Sequence, residues 1–162
     1  QTVVLVRYGF GMPSLSGRLV GHLVRTTNRA ELTGSEALIP GLWATVLADR
    51  ALLQSDDRVG DEIVAALFDY ESDENGAYSQ LVGVRVAPGS AVPPGLATLA
   101  IADAPRVEYD ATGEMPAALI AAWGRVWDET ARGSLQRAFG VDVEVHRPDG
   151  SASIHISGTR AG

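Results

Sequence analysis

The chain has 162 residues, 46% of them hydrophobic and 20% charged, with a formal net charge of −7. Those values describe one globular domain, large enough to bury a core. It has no cysteine, and all 13 of its basic residues are arginine, which excludes thiol nucleophiles, disulfides, thiolate metal sites, Schiff-base lysines and the lysine of a phosphate-binding loop.

Other classes fall away on charge and hydropathy. Arginines scattered singly from Arg7 to Arg160, under a net negative charge, argue against direct nucleic-acid binding. No apolar run is long enough to span a bilayer, and the opening "QTVVLVRYGFG" lacks the charged start of a signal peptide, so the cytoplasm is the expected location.

In chain order, "GFGMPSLSG" (Gly9 to Gly17) is expected to be a plain connection, since neither its spacing nor its residues fit a phosphate loop. "GRLVGHLVRTTN" (Gly17 to Asn28) alternates and is rich in β-branched residues, which predicts a strand. From about Glu36 to Leu53 the apolar residues Ile39, Leu42, Trp43, Val46 and Leu47 recur at helical spacing, with Pro40 in the first turn. The acidic "SDDRVGDE" (Ser55 to Glu62) is expected to be a solvated loop. Ile63 to Val86 predicts a hairpin about the polar turn Asp73 to Gly76.

The Pro/Gly/Ala-rich link "APGSAVPPGL" (Ala87 to Leu96) leads into a second half with the same plan. "LATLAIADAPRVEYDATG" (Leu96 to Gly113) is expected to be extended. Met115 to Thr130 predicts a helix with Leu119, Trp123, Val126 and Trp127 on one stripe and Pro116 in its first turn. "FGVDVEVHRPDGSASIHIS" (Phe139 to Ser157) predicts a hairpin about a Pro-Asp-Gly turn. Strand, helix and hairpin thus occur twice, over about 17–87 and 96–157 with a linker at 88–95. The expected fold is a single α+β domain: a mostly antiparallel sheet, helices on one face, and a groove at the repeat junction where a ligand would sit.

Candidate residues follow from this layout. In Val141-Asp142-Val143-Glu144-Val145 the two carboxylates point to the face opposite the valines, and that face is either a wet acidic surface or the place of a functional acid. Trp43 and Trp123 occupy corresponding helix positions, each four residues after an aliphatic, and serve either as core anchors or as the two walls of the groove. The histidines His22, His146 and His155 show no metal-binding spacing, and no Gly-x-Ser-x-Gly elbow occurs, so no metal and no nucleotide cofactor is expected.

This order of elements, with "LVGHLVRTTN", "LFDYESDENGAYSQLVGVRV", "GEMPAALIAAWGRVW" and the closing acid-bearing hairpin, resembles the GyrI-like effector-binding domain. That domain occurs in AraC-type and some MerR-type multidrug-responsive regulators and in stand-alone proteins. The resemblance spans roughly residues 17 to 157 and implies two βαββ repeats about a pseudo-two-fold axis. It implies that Glu144, matching the family's glutamate in the closing hairpin, faces a bound lipophilic cation. A valine precedes that acid and a histidine follows it where the family has aromatics. Tyr70 and Tyr109 match pocket-lining aromatic positions, and Trp127 joins Trp43 and Trp123 as a third candidate wall.

The expected function is therefore binding of a hydrophobic, cationic small molecule, with Glu144 inside an aromatic cavity and Asp142 nearer the rim in contact with water. Two rivals remain: a hydrolase of strained, reactive small molecules using Glu144 with Tyr109 or Tyr70, and a protein that acts on a protein partner. Only about sixteen residues precede the resemblance, too few for a helix-turn-helix unit, so DNA reading by this chain is not expected.

Overall fold

The computed structural model describes residues 15–162. The stretch Gln1 to Gly11 and most of the Gly9 to Gly17 connection lie outside the described residues. The elements in order are β1 (Gly17–Thr26), α1 (Asn28–Leu32), α2 (Ile39–Ala48), α3 (Arg50–Leu53), β2 (Ile63–Phe68), β3 (Tyr78–Val86) and β4 (Ala97–Ile101). There follow β5 (Arg106–Ala111), α4 (Ala117–Ala131), β6 (Leu135–Arg137), β7 (Asp142–His146) and β8 (Ala152–Arg160).

All strand pairings are antiparallel, and the spatial order is β4-β1-β3-β2-β7-β8-β5, with β6 added to β8. The order is mirrored about the β2–β7 junction: outward from it run β2, β3, β1 on one side and β7, β8, β5 on the other. The protein is an α+β fold of the expected kind.

Cross-strand register shows which face carries the helices. His22, Val82, Ala65, Glu144, Ile154 and Tyr109 form one continuous row across β1, β3, β2, β7, β8 and β5. Val82 and Ala65 belong to the core beneath α2, whereas Ile154 and Tyr109 belong to the core beneath α4. Both helices therefore cover the same face. α2 buries Leu42 and Val46, and α4 buries Ala118, Ala122 and Val126; these are spacings of four, which keep one stripe of each helix against the sheet.

Two expectations about element limits are corrected. The helix expected over 36–53 breaks at Asp49, whose backbone leaves helical space (φ −83°, ψ 82°) and whose Oδ1 accepts the Leu52 N–H at 3.0 Å, capping α3 instead of continuing α2. The arm expected to be extended over 96–113 is two strands at opposite ends of the strand order: β4 joins β1, and β5 joins β8.

That split curls the sheet. Seven strands laid flat span about 29 Å at the usual spacing near 4.8 Å. The four residues 102–105 that link β4 to β5 reach at most about 18 Å. The two ends of the sheet must approach each other, so the face away from the helices folds onto itself. It buries its own core of Leu19, Val64, Ala66, Leu81, Ile101, Val143 and Val145. Close strand approach also explains the facing glycines Gly21 and Gly83 of β1 and β3: a Cβ on Gly83 would lie 1.9 Å from the Val20 carbonyl oxygen.

Candidate functional site

At the β2–β7 junction the two helices stand apart and leave a cavity of about 420 Å³. Its floor is the sheet, through Leu67 of β2, Gln80 of β3 and Glu144 of β7. One wall is α2 with Ile39, Pro40 and Trp43, and the other is α4 with Leu119, Ile120, Trp123 and Trp127. α1 closes one end with Asn28, Glu31 and Leu32. The five β2–β7 pairs are centred on Ala65 opposite Glu144, so the acid lies at the middle of the mirrored fold, between its two halves.

Alternation along β7 aims Asp142, Glu144 and His146 at the helix face, and Glu144 is only 5% exposed. Trp123 donates its indole Nε1–H to Glu144 Oε2 at 2.8 Å. His146 Nε2 lies 2.9 Å from Glu144 Oε1; a carboxylate oxygen only accepts, so the ring nitrogen donates. The His146 ring in turn meets Trp43 edge-on, with centroids 4.5 Å apart at 64°. A continuous chain of contacts thus runs Trp43, His146, Glu144, Trp123, and on to Trp127 at 6.2 Å, from one wall across the floor to the other.

Each inner tryptophan has two roles. Trp43 packs on the core beneath α2 and Trp123 on that beneath α4, while both also line the cavity. Trp127 is 40% exposed, and with Leu32 at 83% and Ile120 at 63% it makes an apolar mouth.

The second acid, Glu31, has no counterpart among the candidate residues read from the sequence. Leu38, at the start of α2, offers no side-chain cap. Glu31 supplies the missing acceptor from α1, taking the Leu38 N–H at 2.9 Å and the Ile39 N–H at 3.2 Å, while Thr26 Oγ1 donates to it at 2.6 Å. A carboxylate at a helix N-terminus is stabilised there by the orphan amides and the helix dipole. Burial first, and then the charges of Glu31 and Glu144, push the Tyr78 phenol above its ordinary range, which places both acids near one buried ring.

The remaining candidates lie elsewhere. Tyr70 does not line the cavity; its hydroxyl donates to Asp142 Oδ2 at 2.5 Å. Tyr109 sits beneath α4, one strand beyond Ile154 from Glu144, and its hydroxyl donates to Glu129, which also accepts from Arg160 Nη1 at 2.8 Å. Burial foremost, then Glu129, pushes the Tyr109 phenol up to about 12. Neither tyrosine is among the hydrogen-bond partners of Glu144, which are Trp123 and His146 among the described residues.

Asp142 is a correction. It does not meet water at a rim but is fully buried. Arg137 Nη2 donates to its Oδ2 at 2.8 Å, and the Ser157 N–H and Oγ–H donate to Oδ1 at 2.7 and 3.2 Å. The guanidinium, itself nearly sealed from solvent, stacks 4.4 Å from the Phe139 ring centroid and 5.6 Å from that of Tyr70. Here the chain's own arginine sits in an aromatic and acidic box, and Asp142 is its counter-ion.

On sequence, the spacing of His146 fits no metal site and gives it no other role. The signal that finds it is period-two alternation: in Asp142-Val143-Glu144-Val145-His146 the histidine shares the face of the acid two residues before it. Glu31 carries no comparable signal, because its partners are amides seven and eight residues ahead.

An antiparallel sheet of mirrored strand order, with a helix per half on one face and a cavity between them, places the protein in the GyrI-like class. The chain belongs to the Cass2 family, integron-associated effector binding proteins, which it matches over residues 16–157. Among solved structures it is similar to an integron cassette protein from the mobile metagenome of Vibrio cholerae. The two share 26% identity at a TM-score of 0.77, over 89% of this chain and 91% of that one. It shares the fold of SAV2435, solved bound to tetraphenylphosphonium, at 17% identity and a TM-score of 0.68, over 89% of each chain. No curated protein matches it. No helix among the described residues is long and apolar enough to cross a membrane.

Proposed function

We propose that this effector-binding protein takes a hydrophobic aromatic cation into the cavity between α2 and α4, with Glu144 as its counter-charge and Trp43, Trp123 and Trp127 as its walls. The observation that carries the reading is the state of Glu144. It is an almost fully buried carboxylate on a cavity floor whose only ion-pair partner among the described residues is a histidine. A buried carboxylate is costly unless an opposite charge reaches it, and here space for one has been left. The cavity lining holds two carboxylates and no arginine, and its indole faces attract delocalised positive charge. A volume of about 420 Å³ falls within the range of drug-sized sites. The tetraphenylphosphonium carried by SAV2435, a protein of the same fold, is a ligand of this chemistry.

The test compares tetraphenylphosphonium with tetraphenylborate, which has nearly the same shape and the opposite charge, by tryptophan fluorescence titration. The cation is expected to bind and the anion not. Glu144→Gln keeps the shape and removes the charge; a charge-assisted contact of about 1.5–3 kcal/mol corresponds to a loss of roughly ten- to a hundredfold in cation affinity. Equal affinity for the two ions, or a Glu144→Gln protein that binds the cation unchanged, refutes the proposal.

A further inference from the structure

The proposed function treats Glu144 as awaiting a cation from outside, yet a potential cation already stands against it. His146 Nε2 is 2.9 Å from Glu144 Oε1, and the His146 ring meets the Trp43 ring at 4.5 Å. These are the partners an external cation would use: the carboxylate and a tryptophan wall. Resting on the reading above, we propose that His146 determines charge selectivity by acting as a built-in competitor. Neutral, it donates one hydrogen bond and holds Glu144 as a net negative floor; protonated, it neutralises the acid, occupies the π-system of Trp43 and turns external cations away.

The surroundings isolate this pair. Across the sheet His146 is flanked by Ile63 of β2 and Ala152 of β8, neither of which carries charge. From α2 it meets Trp43, and on its own strand Glu144. The nearest further acid of the cavity, Glu31 on α1, is tied to Thr26 and to the Leu38 and Ile39 amides. Tyr78 on β3 lies within the fields of both acids and is uncharged. The arginine nearest in sequence, Arg147, turns to the other face, donating from Nη2 to Ser153 Oγ at 2.8 Å. A proton gained by His146 therefore has one principal electrostatic consequence in the cavity, the cancellation of Glu144. The side chain is 21% exposed, so the proton can come from solvent without the fold opening.

The neutral histidine has a second consequence. Trp123 and His146 each engage one oxygen of the carboxylate, which leaves fewer free acceptor sites for a ligand N–H. Quaternary or phosphonium ions, whose attraction needs no directional donor, fit this acid better than primary ammonium ions do.

The experiment measures tetraphenylphosphonium affinity as a function of pH for the full chain and for His146→Gln, whose amide can still donate to Glu144 but takes up no proton. The parent protein is expected to lose cation affinity on acidification by roughly five- to a hundredfold, the usual range of coupling between two linked binding events, here a proton and the cation. His146→Gln is expected to stay nearly flat as the pH falls, whatever its affinity at high pH. His146→Phe, which keeps the ring against Trp43 and removes the donor, serves as the second variant and is expected to be flat as well. A parent profile that is flat, or one reproduced unchanged in His146→Gln, overturns the assignment while leaving the proposed function standing. Failure of the parent to bind the cation at any pH overturns both.

Discussion

Asp142→Asn separates the two acids of β7 by their work. Asp142 is 0% exposed and neutralises Arg137, whose side chain is 2% exposed and whose Nε has no hydrogen-bond partner among the described residues. The asparagine keeps the volume and can still accept from Ser157, but the guanidinium is left buried without a counter-ion. Removing one partner of a buried pair costs about 3–5 kcal/mol. For a domain of this size each kcal/mol is about 2–4 °C in Tm, so the variant should melt roughly 6–20 °C lower. Glu144→Gln has no such debt, since its ion-pair partner His146 is not obligately charged, and its Tm should move by a few degrees at most. Urea and thermal unfolding followed by circular dichroism, paired with tetraphenylphosphonium titration of the folded fraction, read both effects. The expected pattern is crossed: Asp142→Asn loses stability and keeps cation affinity, whereas Glu144→Gln does the reverse. An Asp142→Asn protein destabilised by less than about 1 kcal/mol would show that Asp142 is no buried counter-ion, because a loss that small is typical of solvent-exposed ion pairs.

Two further outcomes are expected. His155 is buried on the sheet face away from the helices; desolvation first, then Arg147 and Arg106, lowers its pKa from 6.5 to about 4. The unfolded chain then binds a proton in this window that the folded one refuses, so stability falls as pH drops from about 6.5 to about 4, by up to roughly 3 kcal/mol. His155→Gln should flatten that part of the stability curve in urea melts; an unchanged acid limb would rule His155 out as its cause. Tyr109→Phe removes one hydrogen bond to Glu129, which keeps Arg160. It should cost about 1 kcal/mol and leave tetraphenylphosphonium affinity alone; a tenfold change in affinity would mean that Tyr109 belongs to the cavity after all.

Features that depend on period and punctuation are legible in the chain alone. Alternation in β1, β7 and β8, the stripes of α2 and α4, and the polar turns are local signals, and they suffice for the α+β class and the repeated plan. They also put Asp142, Glu144 and His146 on one face. What they cannot do is tell Asp142 from Glu144, because two residues of the same type on the same face of one strand have the same local pattern. The difference is made by groups distant in the chain or brought in by turns: Arg137, Tyr70 and Ser157 converge on the first acid, and Trp123 from α4 on the second. In the same way, Leu96 to Gly113 has the composition of one extended arm. Only pairing with β1 at one end of the sheet and β8 at the other divides it. Glu31 has no periodic signature at all, since it is drawn to the amides that α2 leaves open. Periodicity assigns a side chain to a face; the desolvation of a charge and the partner that compensates it are settled by which elements meet across that face, and that is a property of the assembled fold.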